Sequence, residues 1–138
     1  MNNTTGLIEI TQREPGRCQI SHPVAKESIV TDLPPEYGGR GASFSSTDLV
    51  AAGLGSCLFS SMEPILARSN LDPGRLKITV KKELLHNPKR VGALHVDARY
   101  LGVLPESVRV KLLRAAGTCP VKRSLHPDIK IEMELSSE

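Results

Sequence analysis

The sequence predicts an α+β fold with mostly antiparallel sheets, built as a single domain over residues 1–138. Two runs of alternating apolar and polar residues lie on either side of a short turn and form a predicted hairpin. A long apolar segment with helical spacing precedes this hairpin, and a third alternating run lies near the end of the chain. The length suits one domain and is too short for two comfortable ones.

The N-terminal segment predicts short strands joined by tight turns. Residues 7–11 have the composition of a strand, residues 14–16 read Glu-Pro-Gly and indicate a turn, and residues 17–20 return as the hairpin partner. Residues 28–31 indicate a further short strand. Residues 33–41 are rich in Pro and Gly, which predicts a loop.

Residues 45–69 are the strongest helix prediction. Ser45 or Ser46 is suited to the N-cap, and Asp48 is placed to accept backbone N–H groups in the first turn. Pro64 lacks an N–H group, so we expect it to kink or restart the helix. A helix this apolar on most sides is expected to be central. Its apolar residues recur at spacings of three and four: Leu49, Val50, Leu54, Cys57, Leu58, Met62, Ile65 and Leu66.

The hairpin follows this helix. The alternating runs 76–80 and 94–100 are separated by a turn signal at 86–89. Each run has one charged face and one apolar face, which predicts strands with one side toward water and the other toward the core.

Two helices and a strand complete the predicted order. Pro105 begins a helix that ends at Gly117. Cys119 precedes a short helix over residues 120–125, with a proline at its first position. Residues 129–135 alternate and predict the final strand.

Composition argues against several classes of function. The hydrophobic share is 39% without any Trp, so the core is lean and aliphatic, which favours oligomerisation. The formal net charge is +3 without a basic block, which argues against nucleic-acid binding. The apolar run 49–60 is interrupted by Gly and Ser, so we expect no membrane span. The first residues lack a signal-peptide pattern, which predicts a cytoplasmic protein.

The chain has three cysteines, Cys18, Cys57 and Cys119. An odd number argues against a secreted disulfide framework, and a disulfide in a reducing compartment is more often catalytic than structural. The histidines have no metal-ligand spacing to the cysteines, so we expect neither a metal nor another cofactor. Cys18 is interpreted as a strand residue without a role.

Cys57 and Cys119 have different helical contexts. Cys119 lies at the start of a short helix, with Lys122 and Arg123 within one turn, and these features favour a thiolate. Cys57 lies inside the long helix and would need an arginine from elsewhere. The alternative interpretation is that both thiols are small core residues.

Two segments resemble the OsmC/Ohr family. Residues 46–57, which read STDLVAAGLGSC, are similar to its central-helix signature, and residues 119–125, which read CPVKRSL, are similar to its second cysteine motif. The resemblance implies an OsmC-like fold, in which the sheets of an intertwined homodimer wrap around long central helices. It also implies two active sites at the subunit interface.

The family resemblance further implies a thiol peroxidase that reduces organic hydroperoxides. Cys57 would be the attacking thiolate and Cys119 the resolving thiol, with a dithiol or a lipoylated protein as reductant. Arg17 follows a Pro-Gly turn and is the candidate for activating Cys57, with Arg40 as an alternative. Asp48 takes the place of the family's carboxylate, where it either pairs with the arginine or simply caps the helix.

Two alternatives to the peroxidase remain open. The chain could be a non-peroxidatic stress or small-ligand-binding protein on the same dimeric scaffold. In the other alternative, the cysteines are inert core residues of a structural dimer.

Overall fold

The computed structural model describes residues 6–22 and 24–138. It confirms the predicted α+β class. The chain forms two compact units that divide between Leu49 and Val50. The prediction of a single domain over residues 1–138 stays a prediction. The elements in chain order are β1 (Glu9–Glu14), β2 (Arg17–His22), β3 (Glu27–Asp32), α1 (Ser46–Arg68), β4 (Leu76–Leu85), β5 (Arg90–Tyr100), α2 (Glu106–Ala116), α3 (Pro120–Ser124) and β6 (Lys130–Ser137).

The first unit holds a three-stranded antiparallel sheet in the order β1-β2-β3. The predicted hairpin is confirmed, although β1 begins at Glu9 because its ladder to β2 begins with the Glu9–Ser21 pair. Ile10, Ile20 and Ile29 are direct neighbours across the three strands and form an apolar row. This row is poorly covered within the chain, because Ile10 is 60% exposed and Ile29 is 44% exposed.

The loop after β3 folds back on itself. A side chain at Gly39 could not be accommodated, because its Cβ would lie 1.9 Å from the carbonyl oxygen of Leu33. The backbone N–H of Gly41 donates to that same carbonyl at 3.0 Å. The loop predicted from Pro and Gly content therefore has a definite conformation, with a 3₁₀ turn over Pro35–Tyr37.

The second unit holds the hydrophobic core. Its sheet has the order β4-β5-β6, with β4 and β5 antiparallel as predicted. β6 lies parallel to β5, which periodicity alone did not indicate. Gly55 of α1 allows close approach to β4, because a Cβ there would lie 3.1 Å from Val80 Cγ2. The largest fully buried side chains are those of Leu54, Leu58, Met62, Leu66, Leu94, Leu112 and Cys119.

α1 is one continuous helix with Pro64 inside it, so of the two predicted outcomes the restart is wrong, and the kink stays a prediction. The helix runs to Arg68, and the apolar segment is therefore longer than the run 49–60 suggested. By length and composition alone, with a mean hydropathy of 1.5, α1 could cross a membrane. A core helix passes the same test, and five α1 residues belong to the hydrophobic core. The shortness of the run 49–60 is therefore no argument against a membrane span, because the helix that contains it has 23 residues.

The two short helices begin close to their predicted starts. The sequence predicted Pro105 as the first helical residue of α2. In the structure it is the N-cap, and Glu106 is the first helical residue. Pro120 is the first residue of α3, as predicted, and Cys119 is the N-cap. These starts determine where the Cys119 thiol lies.

Candidate thiol site

Cys57 lies on α1 between side chains that hold the helix in the core. Its neighbours Leu54 and Leu58 are 0% and 1% exposed, whereas Cys57 is only half-buried. The hydroxyl of Ser61 donates to the Cys57 carbonyl at 2.9 Å, so that hydroxyl is engaged with the helix backbone. Packing of its neighbours therefore holds the helix at Cys57, while Cys57 itself keeps part of its surface exposed.

Cys119 is fully buried at the start of α3. Its backbone is fixed on both sides, because its N–H donates to Ala116 O and its carbonyl accepts from Arg123 N at 3.0 Å. The backbone N–H groups of Lys122 and Val121 act on the pKa of its thiol, although the side chain makes no capping hydrogen bond. The helix start therefore fixes the position of Cys119 through its backbone.

The two thiols are near each other, because Cys119 belongs to the core cluster that Cys57 packs against, and Cys57 raises the pKa of the Cys119 thiol. Both cysteines are free rather than joined in a disulfide. This arrangement supplies the proximity that a redox pair needs, although 61 residues lie between the two cysteines in the sequence. Their assignment as attacking and resolving thiols stays a prediction.

The predicted thiolate character of Cys119 is wrong. Burial raises the pKa of the Cys119 thiol, and the neighbouring Cys57 raises it further. The N–H groups of Lys122 and Val121 lower the pKa, as the sequence analysis expected, but they are outweighed. Cys119 is therefore a protonated thiol at neutral pH, and its S–H group is suited to donate to the sulfur of Cys57.

Arg17, in the first unit, is held by carboxylates. Its Nη1 lies 2.7 Å from Oε1 of Glu14, and its Nε lies 3.9 Å from Oδ2 of Asp32. Nε is buried without a hydrogen-bond partner among the residues described. Arg40 Nη2 approaches the same Glu14 oxygen at 2.7 Å, so both candidate arginines share one acceptor.

Sequence reasoning missed Glu14 and Asp32. The hydrogen bond from Arg17 and the charge of Arg40 lower the pKa of Glu14. The backbone N–H of Ala42 lowers the pKa of Asp32, with smaller contributions from Arg40 and Arg17. Glu14 precedes the Pro-Gly turn and Asp32 ends β3, and only strand register reveals that both reach Arg17.

Asp48 has the helix-capping role that the sequence analysis left open. Its Oδ2 accepts the backbone N–H of Ser45 at 2.9 Å, and its own N–H donates to Ser45 Oγ at 3.1 Å. This reciprocal pair is a capping box that satisfies two backbone donors at the start of α1. A catalytic role for Asp48 stays a prediction.

Among residues 6–22 and 24–138, no group of three His, Cys, Asp or Glu side chains is arranged to hold a metal ion. The candidate site consists of two neighbouring thiols on an α+β scaffold. A protein of this class can pass electrons between a substrate and a dithiol through a transient disulfide. The chain belongs to the OsmC-like protein family, whose model matches residues 39–134.

Solved structures of similar fold come from several bacteria. A putative osmotic stress induced and detoxification response protein from Psychrobacter arcticus is 28% identical, with a TM-score of 0.88 and 93% of each chain covered. An organic hydroperoxide resistance protein OsmC from Legionella pneumophila is 15% identical, with a TM-score of 0.73, 94% of this chain and 96% of that chain. One from Elizabethkingia anophelis is 17% identical, with a TM-score of 0.72 and 96% of each chain covered. Among curated proteins, none matches the chain.

The family match includes four of the predicted site residues and leaves out the fifth. Arg40, Asp48, Cys57 and Cys119 lie within the matched segment, whereas Arg17 precedes it. The family assignment therefore adds nothing to the case for Arg17, which depends on its position after the Pro-Gly turn.

Proposed function

We propose that this protein is a thiol peroxidase that reduces organic hydroperoxides through Cys57 and Cys119. The observation that supports it most is the proximity of the two thiols at one core cluster, where Cys57 raises the pKa of Cys119. Family membership and the hydroperoxide resistance proteins of similar fold support a peroxide-related redox role.

The reaction divides into three balanced steps. The Cys57 thiolate attacks the terminal oxygen of the hydroperoxide, the O–O bond breaks, and the alcohol leaves with one added proton, while Cys57 becomes a sulfenic acid. The Cys119 sulfur then attacks the Cys57 sulfur, and water leaves as the disulfide forms. An external dithiol, free or as a lipoyl group on a protein, reduces the disulfide by exchange and is itself oxidised.

The protonation of Cys119 suits this division of roles. A buried thiol that keeps its proton is a poor first nucleophile, whereas the half-buried Cys57 is open to a substrate. The S–H group of Cys119 can stabilise negative charge on the Cys57 sulfur before the attack.

The proposal includes a homodimer in the cytoplasm. The row of Ile10, Ile20 and Ile29, of which Ile10 and Ile29 are exposed and Ile20 is half-buried, is an apolar surface that a second copy would cover. Sedimentation of the purified protein checks the dimer, and a monomer at all concentrations would contradict it.

The proposal is tested with Cys57→Ser and a matched control, Cys18→Ser. Consumption of an organic hydroperoxide with a dithiol donor is expected to vanish in Cys57→Ser and to persist in Cys18→Ser. Undiminished turnover in Cys57→Ser would overturn the proposal. Parallel assays with hydrogen peroxide and with a free or protein-bound lipoyl donor identify the preferred substrate and reductant.

A second candidate is a non-peroxidatic stress or ligand-binding protein on the same scaffold. The observation that favours it is the engagement of Arg17 by Glu14 and Asp32, which leaves less of its charge to activate a thiol. The pH dependence of Cys57 alkylation separates the two functions. Fast alkylation at neutral pH supports the peroxidase, and alkylation that becomes fast only in alkaline solution supports the alternative.

A further inference from the structure

One row of side chains crosses the outer face of the second sheet. Lys81 on β4 pairs with His95 on β5, and His95 pairs in turn with Glu132 on β6. Glu83 lies two residues further along β4, on the same face because side chains alternate along a strand. The His95 side chain is 34% exposed and lies between the two carboxylates.

Both ring nitrogens of His95 contact a carboxylate. Nε2 lies 3.1 Å from Oε2 of Glu83, and Nδ1 lies 2.8 Å from Oε2 of Glu132. A neutral imidazole has a single N–H group, so it donates to one carboxylate and turns a lone pair toward the other. With both carboxylates ionised, the two contacts are both hydrogen bonds only when the ring is an imidazolium, which has two N–H groups.

We propose that Glu83, His95 and Glu132 form a proton-operated clamp that fastens β6 to β4 across the middle strand. The clamp is closed when His95 is protonated, and one of its two contacts opens when the ring loses that proton. Within the described part of the chain, β6 pairs only with β5, so the clamp gives this edge strand a second attachment. β6 follows α3 after a short connection, and the clamp therefore acts on the strand next to the Cys119 segment.

The surrounding charges favour the closed state. Lys130 Nζ lies 2.8 Å from Oε1 of Glu132, which leaves Oε2 of that carboxylate to His95. Lys130 is the largest cause of the lowered pKa of Glu132, so the carboxylate stays ionised beside the ring. Asp97 and Glu134 form the adjacent row and add negative charge, which favours the imidazolium, whereas the positive charge of Lys81 opposite His95 acts against it.

These contacts set the direction in which pH acts. The hydrogen bond to Glu83, with a further one to Glu132, raises the pKa of His95, and partial burial opposes the shift. A pKa that is higher in the folded state stabilises the fold below the unfolded value of about 6.5. The stabilisation is lost as pH rises through the folded pKa of His95.

Thermal unfolding of His95→Gln, Glu132→Gln and the turn control His86→Gln from about pH 5.5 to 9 tests the clamp. Wild type and His86→Gln are expected to lose melting temperature as His95 deprotonates, and His95→Gln is expected to lack this loss. The amide introduced by Glu132→Gln can donate an N–H to unprotonated Nδ1, so this variant is expected to flatten the same pH response. Hydrogen exchange of β6 amides, corrected for intrinsic rates, is expected to follow the wild-type titration.

An imidazole titration of wild type by NMR decides the matter even where a variant fails to fold. A His95 pKa above the ordinary histidine value, with loss of β6 protection at the same midpoint, supports the clamp. A pKa at or below the ordinary value overturns it. A His95→Gln variant with the wild-type pH response would overturn it as well, because the response would then come from a group other than His95.

Discussion

The two units of this protein differ in both packing and chemistry. In the second unit, the thiols lie in a packed apolar core, and Cys119 has no exposed surface. Among the described residues of the first unit, the buried ones are Thr31, Asp32 and Ser45, all polar, while Ile10 and Ile29 of the isoleucine row are exposed. The second unit thus buries an apolar cluster, and the described part of the first unit does not.

The difference teaches how each candidate group is held. Cys57 and Cys119 are positioned by helix geometry and core packing, which fix side chains without using charge. Arg17 is positioned by ion pairs with Glu14 and Asp32, and the Asp32 side chain is buried. Packing therefore holds the two thiols in the second unit, and charge holds the arginine in the first.

The largest expected effect is that of Cys119→Ser on turnover. Without the resolving thiol, the Cys57 sulfenic acid must wait for a thiol from solution, and steady-state turnover falls by at least about 10²-fold. A burst of about one alcohol per Cys57 is still expected, since the attack does not require Cys119. Quenched-flow product analysis measures both quantities.

A normal steady-state rate in Cys119→Ser would contradict the resolving role while leaving Cys57 as the attacking residue. Loss of the burst as well would mean that the S–H group of Cys119 is needed for the first step. Cys18→Ser is the control, because it removes a thiol that no proposed step uses.

The packing contrast is tested by matched truncations, Leu94→Ala in the second sheet and Ile10→Ala in the first. Leu94 is fully buried, so its truncation is expected to cost about 2–5 kcal/mol of unfolding free energy. Ile10 is 60% exposed, and its truncation in dilute protein is expected to cost less than about 0.5 kcal/mol. Chemical denaturation measures both.

Protein concentration sharpens this second test. If a second copy covers the isoleucine row, the cost of Ile10→Ala rises with concentration, because dimerisation then contributes to stability. A cost that does not change with concentration would mean that the row stays exposed in solution.

Most of the fold could be predicted because its elements follow local rules. The alternation along β4 and β5, the small residues and periodicity of α1 and the proline at the start of α3 are each visible in a short window of sequence. The parallel pairing of β6 with β5 could not be predicted, since a strand has the same side-chain alternation in either direction. Pro64 within α1 shows that tertiary packing can override a local breaker.

The site was predictable to the extent that it depends on backbone position. The contexts of Cys57 and Cys119 indicated where each thiol lies, and their proximity accords with the hypothesis of a redox pair. The protonation of Cys119 was not predictable, because burial depends on the whole core. The partners of Arg17 were not predictable either, because they depend on which residues of β1 and β3 lie beside the first residue of β2.

A smaller effect is expected from Asp32→Asn, which tests the charged region of the first unit. Asp32 accepts backbone N–H groups from Arg40 and Ala42, and these contacts lower its pKa. The carboxylate therefore stabilises the fold above the unfolded value of about 3.9, and this contribution is lost as pH falls through the lower folded pKa. The amide introduced by Asp32→Asn would retain one acceptor and turn an N–H group toward the other donor.

Melting temperatures between about pH 2.5 and 7 check this prediction. Asp32→Asn is expected to be less stable than wild type at neutral pH, with a gap that closes in acid. Glu36→Gln, in the same loop, is the matched control and is expected to have the wild-type melting temperature at every pH. A gap that persists unchanged into acid would show that side-chain shape, rather than charge, accounts for the loss.

The smallest expected effects are those of two glycines on α1. An alanine Cβ at Gly53 meets nothing within 4 Å in the single chain, so Gly53→Ala is expected to stabilise the helix by up to about 1 kcal/mol. At Gly55 the same gain is opposed, because the Cβ would lie 3.1 Å from Val80 Cγ2 and push on β4. Denaturation at low protein concentration should place Gly53→Ala above Gly55→Ala in stability. The reverse order would mean that the open side of α1 at Gly53 is occupied in solution, and a second copy would then be packed there even at that concentration.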